Sequence, residues 1–116
     1  MTFFETSIGE RFKRATYMLR EVPFTMSRSD REGDAQIVQG IIDCLFRDEE
    51  GRWVLLDYKT DRIRPPFDQE PALTKEMQDR YGMQLAIYEE AIHVINHIEV
   101  DERILYLYDI GKELVM

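Results

Sequence analysis

The feature that most constrains this chain is a pair of apolar runs, each interrupted by an acid, on either side of one polar turn. Ile37-Val38 through Phe46 and Trp53 through Tyr58 read as strands, and Asp48-Glu49-Glu50-Gly51-Arg52 between them predicts a β-hairpin. Asp43 follows Ile41-Ile42, and Asp57 follows Leu55-Leu56, where a purely structural strand would carry an aliphatic residue. Lys59 stands two residues after Asp57, so strand alternation points both side chains to one face. A buried carboxylate is costly unless it is paired or bound to a cation. Two of them on adjacent strands beside a lysine ask for a divalent metal.

Carboxylate and carbonyl oxygens suit Mg²⁺ or Mn²⁺, whose sites use one or two carboxylates and leave the other positions to water and substrate phosphate. Such an ion lowers the pKa of a bound water and neutralises charge developing on a phosphodiester. Lys59 is then a point charge aimed where negative charge grows. The bland alternative is an Asp–Lys ion pair on a solvated strand face. Against it stands Asp43, fourteen residues upstream of Asp57 across the hairpin, which supplies a second ligand.

Gly40-Ile41-Ile42-Asp43, then Asp57-Tyr58-Lys59-Thr60-Asp61, then Gln84-Leu85-Ala86-Ile87-Tyr88 resemble the RecB-type nuclease domain of the PD-(D/E)XK superfamily. Phe3-Phe4-Glu5-Thr6-Ser7 with Ile8-Gly9, Arg20-Glu21-Val22-Pro23-Phe24, and Gln39 through Leu45 are similar, more narrowly, to the C-terminal nuclease region of the AddA family of ATP-dependent helicase/nucleases. The resemblance covers nearly the whole chain, 1–116, as a single nuclease domain. It implies an α/β, restriction-endonuclease-like core: a mixed central sheet of about five strands with flanking helices, truncated at its N-terminus. It also implies a Mg²⁺-dependent DNA exonuclease, with Mn²⁺ able to substitute, acting in the bacterial cytoplasm on strands of a broken duplex beside a second, AddB-like subunit. In that reading Asp43 and Asp57 hold the metal, the carbonyl of Tyr58 adds a ligand, and Lys59 assists attack by water. Gln84 and Tyr88 border the site and contact the substrate strand, and Glu21 is an auxiliary acid near the metal. The family also carries a metal-ligating histidine on a helix upstream of the first strand. No histidine precedes Asp43, so the expectation is a fragment beginning after that helix, with its activity alone in question.

Along the chain, residues 3–14 read as a short helix with Phe3, Phe4, Ile8 and Phe12 on one stripe. Tyr17 to Met26 reads as a strand in which Pro23 marks an edge position or a bulge. Ser27 to Asp34 is a charged turn. Pro65, Pro66 and Pro71 keep residues 60–73 irregular. Thr74 is a plausible N-cap for a helix running to about His97, with Met77, Tyr81, Gln84, Tyr88 and Ile95 on one face and Gln84 and Tyr88 one turn apart. Arg103 to Ile110 reads as an alternating strand, followed by a Gly111-Lys112 turn and a last short strand that extends the sheet.

Composition closes off several other classes. The six glycines form no G-x-x-x-x-G-K-[ST] loop, so no ATP site of that kind is present. No stretch of some 18 apolar residues occurs, which argues against a membrane span. Cys44, the single cysteine, excludes an internal disulfide and reads as a small core hydrophobe. His93 and His97 lack the intervening glutamate of a zinc-protease helix and stay outside the site. The net charge of −8 opposes nonspecific DNA binding by the chain alone, although the cations and acids between Lys59 and Arg80 balance. Two further readings share the core: a noncatalytic nuclease-fold module that docks on a partner or guides DNA, and a stand-alone restriction-type endonuclease.

Overall fold

The structure, a computed structural model, describes residues 2–116. A 3-10 turn (Phe3–Glu5) leads into α1 (Ser7–Lys13), followed by β1 (Tyr17–Ser29), β2 (Ala35–Arg47), β3 (Trp53–Lys59), α2 (Ala72–Ala91), β4 (Glu102–Leu107) and β5 (Lys112–Val115). The five strands form one sheet in sequence order. β1–β2, β2–β3 and β4–β5 are antiparallel, and β3–β4 is parallel. A parallel pair requires a long crossover, and α2 provides it.

The sheet is covered on both faces. Phe3, Ile8 and Phe12 from the N-terminal segment pack on Cys44, Phe46, Val54, Leu56 and Tyr106. α2 packs Leu85, Ala91 and Tyr88 on Phe24, Ile42 and Leu55, and Leu73 and Met77 on Leu105 and Leu107. β3 and β4 are therefore buried on both sides, and Val54 through Asp57 are buried without interruption. Four residues in a row are likewise buried in β4, so the alternation expected there is absent; the strand also ends at Leu107, the Tyr108 N–H making the last bond of the parallel ladder to the Lys59 carbonyl before the chain turns.

Pro23 does lie on an edge strand, as its missing N–H demands, but the backbone departure is two residues earlier. Glu21 has φ 51°, and the β1–β2 ladder skips the pair it would form with Asp43. Side chains change face there. Arg20 and Cys44, both even-numbered, lie on the α1 side, whereas Val22 and Ile42, the next pair, face α2. A left-handed residue re-aims the hairpin so that its distal half, Phe24, Met26 and Val38 included, packs under α2.

Thr74 is not the N-cap. α2 begins at Ala72 behind Pro71, and the Thr74 hydroxyl donates instead to Glu70. The last turn, Ile92–Asn96, is π-helical. Its wider ring advances the phase of the helix, so Ile95 leaves the expected stripe and is exposed, while Leu85 is fully buried beside that stripe. His93 pairs with Glu99 at 2.7 Å on the surface, and His97 ends the helix at φ 57°. Cys44 is buried in the core, and burial pushes its thiol up to about 12. Among the described residues no helix is long and apolar enough to cross a membrane.

Candidate active site

The β2–β3 ladder runs from Arg47↔Trp53 to Cys44↔Leu56 and stops; Asp43 and Asp57 are the next positions in register. Like charges directly opposite one another are destabilising in a ladder, and here the strands part. β3 stays with β4 through Lys59, while β2 stays with β1. The fork leaves the Tyr58 N–H without a backbone acceptor on β2, and the Asp43 Oδ2 takes it at 2.9 Å. Along a strand, a residue's N–H and C=O point to the same side. The Tyr58 carbonyl is therefore on the β2 side of β3, facing the fork. Lys59 turns its own carbonyl to the opposite side, toward Tyr108.

Asp57 is 3% exposed. Its Oδ2 is ion-paired with the Lys59 Nζ at 3.0 Å and meets no other donor among the described residues. Burial above all, and the neighbouring Asp43 carboxyl next, push Asp57 up to about 6, against the pull of Lys59. Two adjacent carboxyls in so little water relieve their repulsion either by retaining a proton or by sharing a cation. The donors on offer, two carboxylates and a strand carbonyl, are all hard oxygens that fit Mg²⁺ or Mn²⁺ and not a soft metal.

Lys59 is held over the site. Its ammonium donates to Gln84 Oε1 at 2.7 Å and lies 4.2 Å from the centre of the Tyr81 ring. Gln84 thus meets the lysine directly, one helical turn from Tyr88. Burial first, and then the charges of Asp57 and Asp43, raise the pKa of the Tyr88 hydroxyl. The Tyr88 ring packs edge-on against Phe24 and lies against Gly40, where a Cβ would come within 3.2 Å of it and 2.8 Å of Phe24. The glycine three residues before Asp43 is therefore the space that Tyr88 and Phe24 occupy.

Glu21 is exposed and has no polar partner of its own among the described residues; it stands opposite Asp43 in the register, at the skipped pair. In the register it falls in the row Glu21–Asp43–Asp57, on the outer strand. Tyr81 and Asp61 carry no role in the sequence reading, yet the Tyr81 ring covers the lysine and Asp61 anchors that ring: the Tyr81 hydroxyl donates to Asp61, which also accepts from Arg80 at 3.1 Å. Spacing could have pointed to Tyr81, since it lies three residues before Gln84 on the same helical face.

A second acidic group, Asp30, Glu32 and Asp34, is in the β1–β2 turn, nine residues along β2 from Asp43 and roughly 30 Å away at strand rise. It is a turn device: Asp30 Oδ1 accepts the N–H groups of Glu32 and Asp34.

The profile of the PD-(D/E)XK nuclease superfamily matches residues 3–112. The chain is similar to the A-type subunit of the ATP-dependent helicase/nuclease of Lysinibacillus sphaericus, at 65% identity over 92% of this chain and 9% of that protein. It is also similar to the proteins of the same name from Anoxybacillus flavithermus, 46% identical over 94% of this chain and 8% of that protein, and Heliobacterium modesticaldum, 37% identical over all of this chain and 9% of that protein. The chain thus spans about 9% of the length of these relatives. Among solved structures, that of SSO0001 shares the fold, with a TM-score of 0.55 at 19% identity over 84% of this chain and 41% of the other. With the sheet, the forked carboxylates and the Asp-x-Lys strand in place, the match across 3–112 shows that this chain belongs to the PD-(D/E)XK nuclease superfamily.

Proposed function

We propose that the chain is the metal-dependent DNA exonuclease domain of a helicase–nuclease complex that processes double-strand breaks for recombinational repair. The observation that carries this reading is the pair of carboxyls at the fork, Asp57 buried and Asp43 beside it, with the single Lys59 ammonium 3.0 Å from Asp57 to balance them. Two adjacent acids sharing one cation repel each other and cost stability unless a proton or a second cation joins them. Asp43, Asp57 and the Tyr58 carbonyl would hold a Mg²⁺, with Mn²⁺ able to take its place. When bound, that ion supplies Lewis-acid activation of a water and charge neutralisation at the phosphodiester.

The chain's own residues supply the rest. Lys59, poised between Asp57 and Gln84, orients the attacking water and offers its charge to the phosphate oxygens as negative charge develops. Gln84 fixes the ammonium while Tyr88, half-buried on the rim, gives a ring face on which a splayed base stacks. Glu21 lies in the same row and assists as an auxiliary acid. Exposed Arg62 and Arg64, which have no ion pair among the described residues, follow directly on this strand and suit phosphate contacts. The remaining DNA affinity, the unwinding motor, an AddB-like partner and a bacterial cytoplasmic setting belong to the larger assembly, by analogy with relatives whose name includes helicase and nuclease.

The test is calorimetric titration of Mn²⁺ into the chain beside Asp43→Ala and Asp57→Ala, with cleavage of single-stranded DNA by the complete enzyme carrying Asp57→Ala. Binding by the wild type that both substitutions remove, and loss of cleavage with the fold intact, are the expected results. Wild-type cleavage by Asp57→Ala would refute the assignment.

A further inference from the structure

An ammonium has three N–H donors. In Lys59 one side of the group faces Asp57 Oδ2 at 3.0 Å, another faces Gln84 Oε1 at 2.7 Å, and the Tyr81 ring covers it at 4.2 Å. The side chain is only 16% exposed, so the ring face is desolvated on the cation side, where cation–π attraction is strongest. The ring is itself tied down. The Tyr81 hydroxyl bonds to Asp61, two residues beyond Lys59 in the chain, and Arg80 on the preceding position of α2 bonds to the same carboxylate. The loop leaving β3 and the middle of α2 are thereby stapled together around the lysine.

We propose that Tyr81, anchored by Asp61, is a positioning residue for Lys59: its ring walls off one side of the ammonium and keeps it against the Asp57–Asp43 fork. The inference rests on the nuclease reading for what Lys59 does once positioned. Neither Tyr81 nor Asp61 touches the reacting atoms. Without the wall, a four-carbon side chain is free to adopt other rotamers toward the solvent beside residues 60–64, and the fraction of molecules with the ammonium over the fork falls.

The chain has four lysines, Lys13, Lys59, Lys75 and Lys112, and the other three are well exposed, so selectively labelled lysine reports on Lys59 without ambiguity by NMR. An ammonium held over an aromatic ring has its ε-methylene protons shifted upfield by the ring current. We expect that shift in the wild type and in Tyr81→Phe, which keeps the ring, and its loss in Tyr81→Leu; Asp61→Asn, which frees the ring, reduces it. Steady-state cleavage of single-stranded DNA with Mn²⁺ by the complete enzyme carrying these substitutions follows the same order: kcat falls about tenfold in Tyr81→Leu with KM unchanged and returns in Tyr81→Phe. Lys59 resonances unaltered in Tyr81→Leu, or a kcat that is unaltered there or not restored by phenylalanine, overturn the proposal. If the wild type takes up Mn²⁺ and cuts while Tyr81→Leu equals it, this inference alone falls. If the complete wild-type enzyme neither binds Mn²⁺ nor cuts, the nuclease reading falls, and the role of Tyr81 with it.

Discussion

Replacing Asp57 with asparagine tests the site through stability. A carboxyl that has an ordinary pKa of 3.8 when unfolded and about 6 when folded makes the native state bind more protons than the unfolded state in that window. Stability is therefore lost as pH rises from about 4 to about 6, and at pH 7.5 the whole penalty, about 3 kcal/mol, is present. Asp57→Asn removes it. That penalty is already net of the attraction of Lys59; an amide whose donors the site does not fully satisfy takes back about 1 kcal/mol, which leaves a net gain of about 2 kcal/mol. In a chain of this size that is a rise in Tm of about 5–10 °C. The measurement is a thermal melt in chelator at pH 7.5 and again at pH 4.5, where Asp57 is already neutral and the difference shrinks. Excess Mg²⁺ should then raise the wild-type Tm by mass action and leave Asp57→Asn unmoved. A variant that melts at or below the wild type at pH 7.5 would refute the reasoning, because the buried oxygen would then be no burden. The gain in stability accompanies loss of cleavage, the trade expected where a site is built for a ligand.

Three further outcomes follow from the same geometry. Protons and metal compete for Asp57, so Mn²⁺ affinity by calorimetry should be about tenfold weaker at pH 5 than at pH 7.5; a pH-independent affinity would remove Asp57 from the ligand set. Gly40→Ala has no room for its methyl group against Phe24 and Tyr88, and should lower cleavage by displacing Tyr88 and cost about 1–3 kcal/mol in denaturant melts; full activity would mean that Tyr88 is not used. Asp48, 3% exposed, accepts the N–H groups of Glu50 and Arg52 and pairs with Arg11, so Asp48→Ala should cost about 2–4 kcal/mol in the same melts, with Mn²⁺ binding retained.

The hairpin and its acids were legible because each rests on local rules. Two apolar runs about a polar turn make a hairpin, Asp57 and Lys59 share a face by alternation, and the three-proline segment resists regular structure. What alternation cannot express is its own interruption. Glu21 at positive φ reverses the faces of β1 and β2 midway, and the strand periodicity on either side of it gives no warning. Helix phase fails in the same way at Ile92–Asn96, where the π-helical turn carries Ile95 out to solvent. Thr74 had the chemistry of an N-cap, but the helix was started two residues earlier by the chain's departure from Pro71.

The residue types and their spacing by themselves determined the hairpin, the paired carboxylates and the lysine beside them, since these depend on period-two geometry and on the cost of burying charge, while the nuclease-type sheet was implied by the family resemblance. Only the tertiary structure decided that β2 and β3 part where Asp43 and Asp57 meet, that the Tyr58 carbonyl faces the gap, and that Gln84 and Tyr81 enclose the Lys59 ammonium. Those relations join residues far apart in the chain, and only when α2 packs on the sheet do their side chains come within reach of one another.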